Sequence, residues 1–254
     1  MKRHLLVLTL ILFSLSSQAA DIRYYDVEVI IFQYLQANGY HSEHWPQQID
    51  RKMPKDLIEI GGKWPGGKPE KYDPALSFTP LPESKWRLTA EAEKIDHSTS
   101  RRLLAHLAWV QPGLPQNQAI SVHFNLPVMA TPEINGSETD VTMQNEPEKP
   151  ATESPAEIGT LDALIRVSLA RYLRVKTDLL LTLDPLPAEK NGTISDPKRE
   201  NEAETTPAPR YFRVQQVRRH IRSTELHYLD HPVLGMLIMF TQHKTAGKTS
   251  TKKR

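Results

Sequence analysis

The strongest signal along the chain is an alternation of apolar and polar positions. Ile165, Val167, Leu169, Leu173, Val175, Leu179, Leu181 and Leu183 fall on odd numbers, while Arg166, Ser168, Arg174, Lys176 and Thr182 fall on even ones. A period of two means side chains leaving opposite faces of a sheet, so this stretch predicts two antiparallel strands, or one long bent strand, with one polar face. The segment Tyr24 to Phe32 (YYDVEVIIF) is rich in β-branched and aromatic residues. It places Tyr25, Val27, Val29 and Ile31 on one side and Asp26 and Glu28 on the other, which predicts a half-buried strand.

Leu88 to Asp96 holds good helix formers with Leu88, Ala92 and Ile95 on one side, predicting a helix within about residues 84 to 97. Ser98-Thr99-Ser100 interrupts that run and Pro112-Gly113 closes the next, so Arg102 to Gln111 is expected as a strand, with Ala119 to Phe124 paired to it. Tyr211 to Ile221 and Val233 to Phe240 complete the strand candidates. Between the first strand and the helix, Trp45-Pro46, Trp64-Pro65, two Gly-Gly pairs and Lys68-Pro69 indicate a surface excursion anchored by tryptophans rather than a sheet element.

The expected class is α+β, mainly antiparallel β-sheet with one or two helices and two long disordered inserts. The first insert, about 131–157, carries seven acidic residues, one lysine and four prolines, too little apolar surface to offset the entropy of ordering. The second, about 186–209, has the same Pro/Glu/Asn/Thr character. They interrupt a single domain over residues 20–241, and a Lys-rich tail over 242–254 is expected to fray.

At the other end, Lys2, Arg3 and His4 precede the apolar run Leu5 to Leu15, interrupted only by Thr9 and Ser14, and Ser17-Gln18-Ala19 follows. This is the order of a secretory signal peptide, residues 1–19, cleaved after Ala19. The run is too short to cross a bilayer, which takes about 20 apolar residues. Export to the periplasm is therefore expected, with no membrane span, the longest later run being the eight residues Val233 to Phe240. The chain has no cysteine, so neither a lipid anchor on a first mature Cys nor a disulfide is available, and a hydrophobic core must hold the fold.

Of 32 basic residues Lys2 and Arg3 leave with the leader, giving 30 against 30 acidic ones, so net charge names no partner. Local charge is more informative. Arg166, Arg171, Arg174 and Lys176, with Arg213, Arg218, Arg219 and Arg222, lie on strands that could adjoin, giving a sheet face of concentrated positive charge. In the cell envelope nucleic acid is not the expected partner. The anionic polymers there are lipopolysaccharide and peptidoglycan, whose stem-peptide carboxylates suit the planar fork of arginine. The alternative is a solvated face balanced by nearby Asp and Glu.

The block Arg218 to Gly235 (RRHIRSTELHYLDHPVLG) carries most of the polar chemistry. Glu225, His227, Asp230 and His231 have the side-chain types of a metal site, which would make a metal-dependent envelope hydrolase. The HExxH order is absent, however, and Pro232 disfavours a helix there, so Asp230-His231-Pro232 also fits a tight turn between strands. Trp45, Trp64, Trp86 and Trp109 could stack on sugars or anchor the core. There is no Gly-x-Ser-x-Gly elbow, no thiol nucleophile and no complete phosphate-binding glycine loop, so no enzyme activity, cofactor or bound metal is expected.

Four blocks, YYDVEVIIF, LLAHLAWVQP at Leu103 to Pro112, RYLRVKTDLLL at Arg171 to Leu181, and RRHIRSTELHYLDHPVLGMLI at Arg218 to Ile238, resemble the hallmark blocks of the CsiV family. These are periplasmic peptidoglycan-binding proteins of γ-proteobacteria. The resemblance implies a non-enzymatic accessory factor. Such a factor binds peptidoglycan and supports a bifunctional penicillin-binding protein through that synthase's outer-membrane lipoprotein activator, with effects on cell shape. It supplies no binding residues. Those expected from charge and motif for peptidoglycan or a partner are Arg166, Arg171, Arg174, Arg218, Arg219, Arg222, His227, Asp230 and His231.

Overall fold

Ten strands form two five-stranded sheets packed face to face, with one α-helix, among the described residues, on the far side of the first sheet. The computed structural model describes residues 22–36, 45, 49–67, 69, 71–130, 156–184 and 209–244. The expected leader, nearly all of both inserts and most of the tail lie outside these.

The first sheet has the order β3-β4-β1-β10-β9, with β1 Tyr24–Tyr34, β3 Thr79–Pro80, β4 Arg101–Pro112, β9 Leu226–Leu229 and β10 Leu234–Gln242. The second has the order β2-β5-β6-β7-β8, with β2 Leu57–Glu59, β5 Ser121–Met129, β6 Glu157–Leu169, β7 Leu173–Leu183 and β8 Arg210–Ile221. All pairings are antiparallel except β2 with β5. The class is α+β and mainly sheet, as the alternation indicated.

The core lies between the sheets. Val27, Val29 and Ile31 of β1 and Ile238 and Phe240 of β10 meet Leu161, Ile165, Leu179, Leu181, Phe212 and Val214 of the second sheet. The alternation over 165–183 resolves into the β6–β7 hairpin, its odd residues forming this inner face.

The first sheet is covered on its outer face as well. Helix α1, Thr89–Asp96, packs Leu88, Ala92 and Ile95 onto Ile30 and Phe32. Strand β1 is therefore buried on both faces rather than half-buried. The Glu28 carboxylate, 4% exposed, accepts the N–H groups of Arg87 (2.7 Å) and Leu88 (2.8 Å) at the start of α1, and His106 lies 2.9 Å away. Asp26 hydrogen-bonds His243, and the backbone N–H of His243 reaches the Tyr24 carbonyl, so residues 242 and 243 are held at the sheet.

Two further differences from the expectation concern neighbours. Strand β5 does not pair with β4; the chain from Gly113 to Ile120 crosses between the sheets, burying Leu114, Ala119 and Ile120, and β5 joins β6. The tryptophan-rich excursion contains the short strand β2, whose three residues are too few to show a period. Its tryptophans do act as anchors. Trp45 packs edge-on against Phe212, and Trp64 stacks on Tyr72. Trp109 is fully buried and donates to Gln111, while Trp86 donates to the Leu81 carbonyl.

Unlike the first sheet, the second keeps a largely polar outer face. The segment 49–56 crosses part of it, held by the Arg51 guanidinium, whose side chain is 5% exposed. Arg51 reaches Asp162 at 2.6 Å and donates to the Asp178 carbonyl at 2.6 Å.

Candidate functional site: a basic groove on the outer sheet face

Pairing register decides which cations share a face. Arg166 on β6 stands directly opposite Lys176 on β7, Ser168 opposite Arg174, and Lys176 opposite Val217 on β8. Between Leu173 and Val175 the β7–β8 register shifts, so that Val175 faces Arg218 and Leu173 faces Ile221. This β-bulge takes up one extra residue in β8, with His220 in the left-handed region at φ 61°. Arg219 lines the same groove as Arg166, Arg174 and Lys176, about 530 Å³ in volume, with Gln116 and Asn117 of the β4–β5 connection on its rim.

The charges here are poorly matched. Arg166 donates to the Ala119 carbonyl, and its nearest carboxylate is Asp56 at 3.9 Å, whose side chain is 68% exposed. Arg174 is held by the Gln116 side-chain carbonyl at 3.0 Å. Among the described residues no carboxylate pairs with Lys176 or Arg219. Like charges directly opposite one another on adjacent strands are destabilising, and Arg166 with Lys176 is such a pair.

A few residues along the same face the charges are balanced. Arg213 donates to both Asp178 oxygens, at 3.0 and 2.8 Å, and Gln215 adds a third hydrogen bond. Burial alone would raise the Asp178 pKa; the Arg213 hydrogen bonds, the nearby Arg51 charge and Gln215 outweigh it and hold the carboxyl below the usual carboxylate range. The Arg213 guanidinium is correspondingly raised by its bond to Asp178.

The nine residues expected from sequence occupy several places. Arg166, Arg174 and Arg219 meet in the groove, and Arg171 sits at the β6–β7 turn over the Tyr172 ring, 5.6 Å from its centre. Arg218 and Arg222 line instead the seam between the edge strands β8 and β9, which Arg219 borders as well. There Arg222 pairs with Glu225 at 3.6 Å, and His227 faces the Arg222 carbonyl at 3.3 Å.

Asp230 and His231 belong to the β9–β10 turn. The Asp230 carboxylate accepts from Tyr228, with Tyr34 bonded to the same phenol, and the Val233 N–H donates to His231 Nδ1 at 3.2 Å. Desolvation and the bonds to Asp230 and Tyr34 raise the Tyr228 pKa. Glu225, His227, Asp230 and His231 thus do not converge. Among the described residues no group of three or more His, Asp or Glu is placed to hold a metal ion, which removes the geometric basis of the hydrolase reading.

Gln116 and Asn117 gave no signal in the sequence, since a loop amide becomes part of a site only through the crossing that delivers it. No helix among the described residues is long and apolar enough to cross a membrane. Compared with known proteins, the chain matches one family model, CsiV, described as a peptidoglycan-binding protein, over residues 4–243. No curated protein and no solved structure matches it.

Proposed function

The chain belongs to the CsiV family of peptidoglycan-binding proteins, and from that membership we propose that it binds the cell wall through the groove of Arg166, Arg174, Lys176 and Arg219. The observation that carries this assignment is the facing pair Arg166 and Lys176, reinforced by two further arginines and met, among the described residues, by a single exposed carboxylate in ion-pair range, Asp56 at 3.9 Å from Arg166. A fold does not keep such a cluster for stability, because like charges repel; an anionic ligand removes the repulsion on binding. Peptidoglycan supplies carboxylates, and guanidinium groups take them in two-pronged hydrogen bonds.

Co-sedimentation with purified sacculi tests the proposal. The chain without residues 1–19 is expected in the pellet at low salt and to leave it as salt rises. Recovery wholly in the low-salt supernatant would overturn it.

We further propose that residues 1–19 are removed on export and that the remainder works in the periplasm as a single domain over 20–241, as a non-enzymatic accessory factor. On this reading it supports wall synthesis by a bifunctional penicillin-binding protein through that synthase's lipoprotein activator. The support is the resemblance of the four blocks to the family and the lack of a nucleophile motif. Pull-down of the activator from envelope extracts, before and after lysozyme digestion, tests the partner. Capture that survives digestion indicates direct contact, and no capture in either case removes the activator from the account.

A further inference from the structure

Resting on the peptidoglycan reading, we propose that the groove recognises the stem peptide rather than the glycan, through at least two of its free carboxylates, and so favours stems that are not cross-linked. Three features of the site lead there.

The first is the arrangement of charge. Cross-strand neighbours have Cβ atoms about 5 Å apart, so Arg166 and Lys176 present two cations side by side, with Arg174 two residues from Lys176 on the same strand face. One carboxylate can satisfy one guanidinium fork or bridge two heads; it cannot quiet four. A ligand with carboxylates spaced along a short chain can. A stem peptide is such a chain, whereas the sugar's own lactyl carboxyl is consumed in the amide that joins it to the stem.

The second feature is what the groove lacks. Sugar sites usually offer a flat aromatic face, but the described residues lining this groove include no aromatic side chain. Uncharged sugar hydroxyls would also leave Lys176 and Arg219 desolvated without a counter-charge, which is costly.

The third is the remaining lining. Gln116 and Asn117 stand on the rim with side chains able to donate to and accept from peptide amides, while Val217, 59% exposed, offers an apolar surface of the size an alanine methyl needs. Cross-linking turns the donor stem's terminal carboxylate into an amide with the acceptor stem's side-chain amine, so on the donor it removes one of the charges the groove would hold.

Isothermal titration calorimetry on the exported chain separates this inference from the broader one. The probes are a disaccharide-tetrapeptide, the tetrapeptide alone, the same peptide with amidated carboxylates, glycan strands stripped of stems by an amidase, and lipopolysaccharide. The first two are expected to bind alike, and the amidated and stripped probes at least tenfold more weakly. Lys176→Ala and Arg219→Ala, both at exposed positions, are each expected to lower tetrapeptide affinity about tenfold, the loss of one charge-assisted hydrogen bond. Stripped glycan binding as well as the intact muropeptide, or unchanged affinity for the amidated peptide, would overturn the stem assignment while sacculus binding stands. If lipopolysaccharide binds and neither muropeptides nor sacculi do, both proposals fall.

Discussion

Replacing Lys176 by glutamate is expected to make the protein more stable and less able to bind. In the free protein Lys176 faces Arg166 and adds to the charge of Arg174 and Arg219; among the described residues only Asp56, 3.9 Å from Arg166, is within ion-pair range of the four, while Asp178, already paired with Arg213, borders the adjoining pocket. Opposite charges facing across strands contribute about 0.2–1 kcal/mol, and like charges cost a similar amount. Reversing Lys176 thus swings the pair by about 0.4–2 kcal/mol. Because Lys176 is exposed, solvent screening favours the lower half, about 0.5–1 kcal/mol. For a domain of this size 1 kcal/mol moves the melting temperature by about 2–4 °C, so Lys176→Glu is expected to melt about 1–4 °C higher at low salt. In 0.5 M salt the Debye length is shorter than the spacing of the charges and the gain should largely vanish.

Sacculus binding should fall by about 30-fold or more, since the substitution removes an attraction and places a carboxylate against the ligand's carboxylates. Differential scanning calorimetry with pelleting on the same preparation reads both quantities. A variant that melts lower than the parent would refute the repulsion argument, and one that melts higher yet pellets fully would show that the groove is not the binding surface.

Other substitutions test the frame that holds the groove. Glu28→Ala strands two backbone N–H groups at the start of α1 and removes the partner of His106, and should cost about 3–5 kcal/mol in urea unfolding; a loss under 1 kcal/mol would mean that α1 is held otherwise. Gly235 lies beneath Phe32, where an added Cβ would come within 2.3 Å of the ring, so Gly235→Ala should cost about 1–3 kcal/mol and disturb the stacking of Phe32 on Tyr228, visible as changed near-ultraviolet circular dichroism. The folded Asp178 pKa lies below its unfolded value near 3.8, so the charged carboxylate stabilises the fold above that pH and the contribution fades as pH falls below about 4. Asp178→Asn should therefore be less stable than the parent by a constant amount above about pH 5, and the gap should narrow toward pH 2 in denaturant titrations; a gap independent of pH would sink the linkage.

The parts of the fold legible in the sequence are those in which one face is wet. The β6–β7 hairpin shows clear alternation because most of its even residues meet solvent or the 49–56 segment, while its odd residues from Leu161 to Val167 and from Leu173 to Leu183 enter the core; Leu164 and Leu180 are apolar exceptions at even positions. Strand β1 misleads for the opposite reason. Asp26 and Glu28 look like a solvent face, but Asp26 is half-buried against His243 and Glu28 fully buried against His106, partners 217 and 78 residues away that no local pattern reveals. The pairing of β5 was not legible either, since whether a strand stays in its sheet or crosses is settled by packing of Leu114, Ala119 and Ile120.

The site shows the same division. That basic residues cluster on β6, β7 and β8 can be read directly. Which of them lie together depends on register and on one bulge, which brings Arg219 to the rim of both the groove and the seam and leaves Arg218 at the seam. Lys176, the counterpart of Arg166, gains its meaning only from that pairing.

The pairing of β1 with β10 also constrains when the molecule can exist. Tyr25 stands opposite Gln242, so the central strand of the first sheet meets its neighbour only when almost the whole chain is available. A polypeptide that emerges N-terminus first, from a ribosome or through a secretion channel, must carry the apolar β1 without that neighbour until β10 appears. Closing so long a loop is slow. Pairing of β1 with β4 and of β5 through β8 does not need β10, so a truncation that removes β10 should leave the second sheet its partners and the first sheet incomplete.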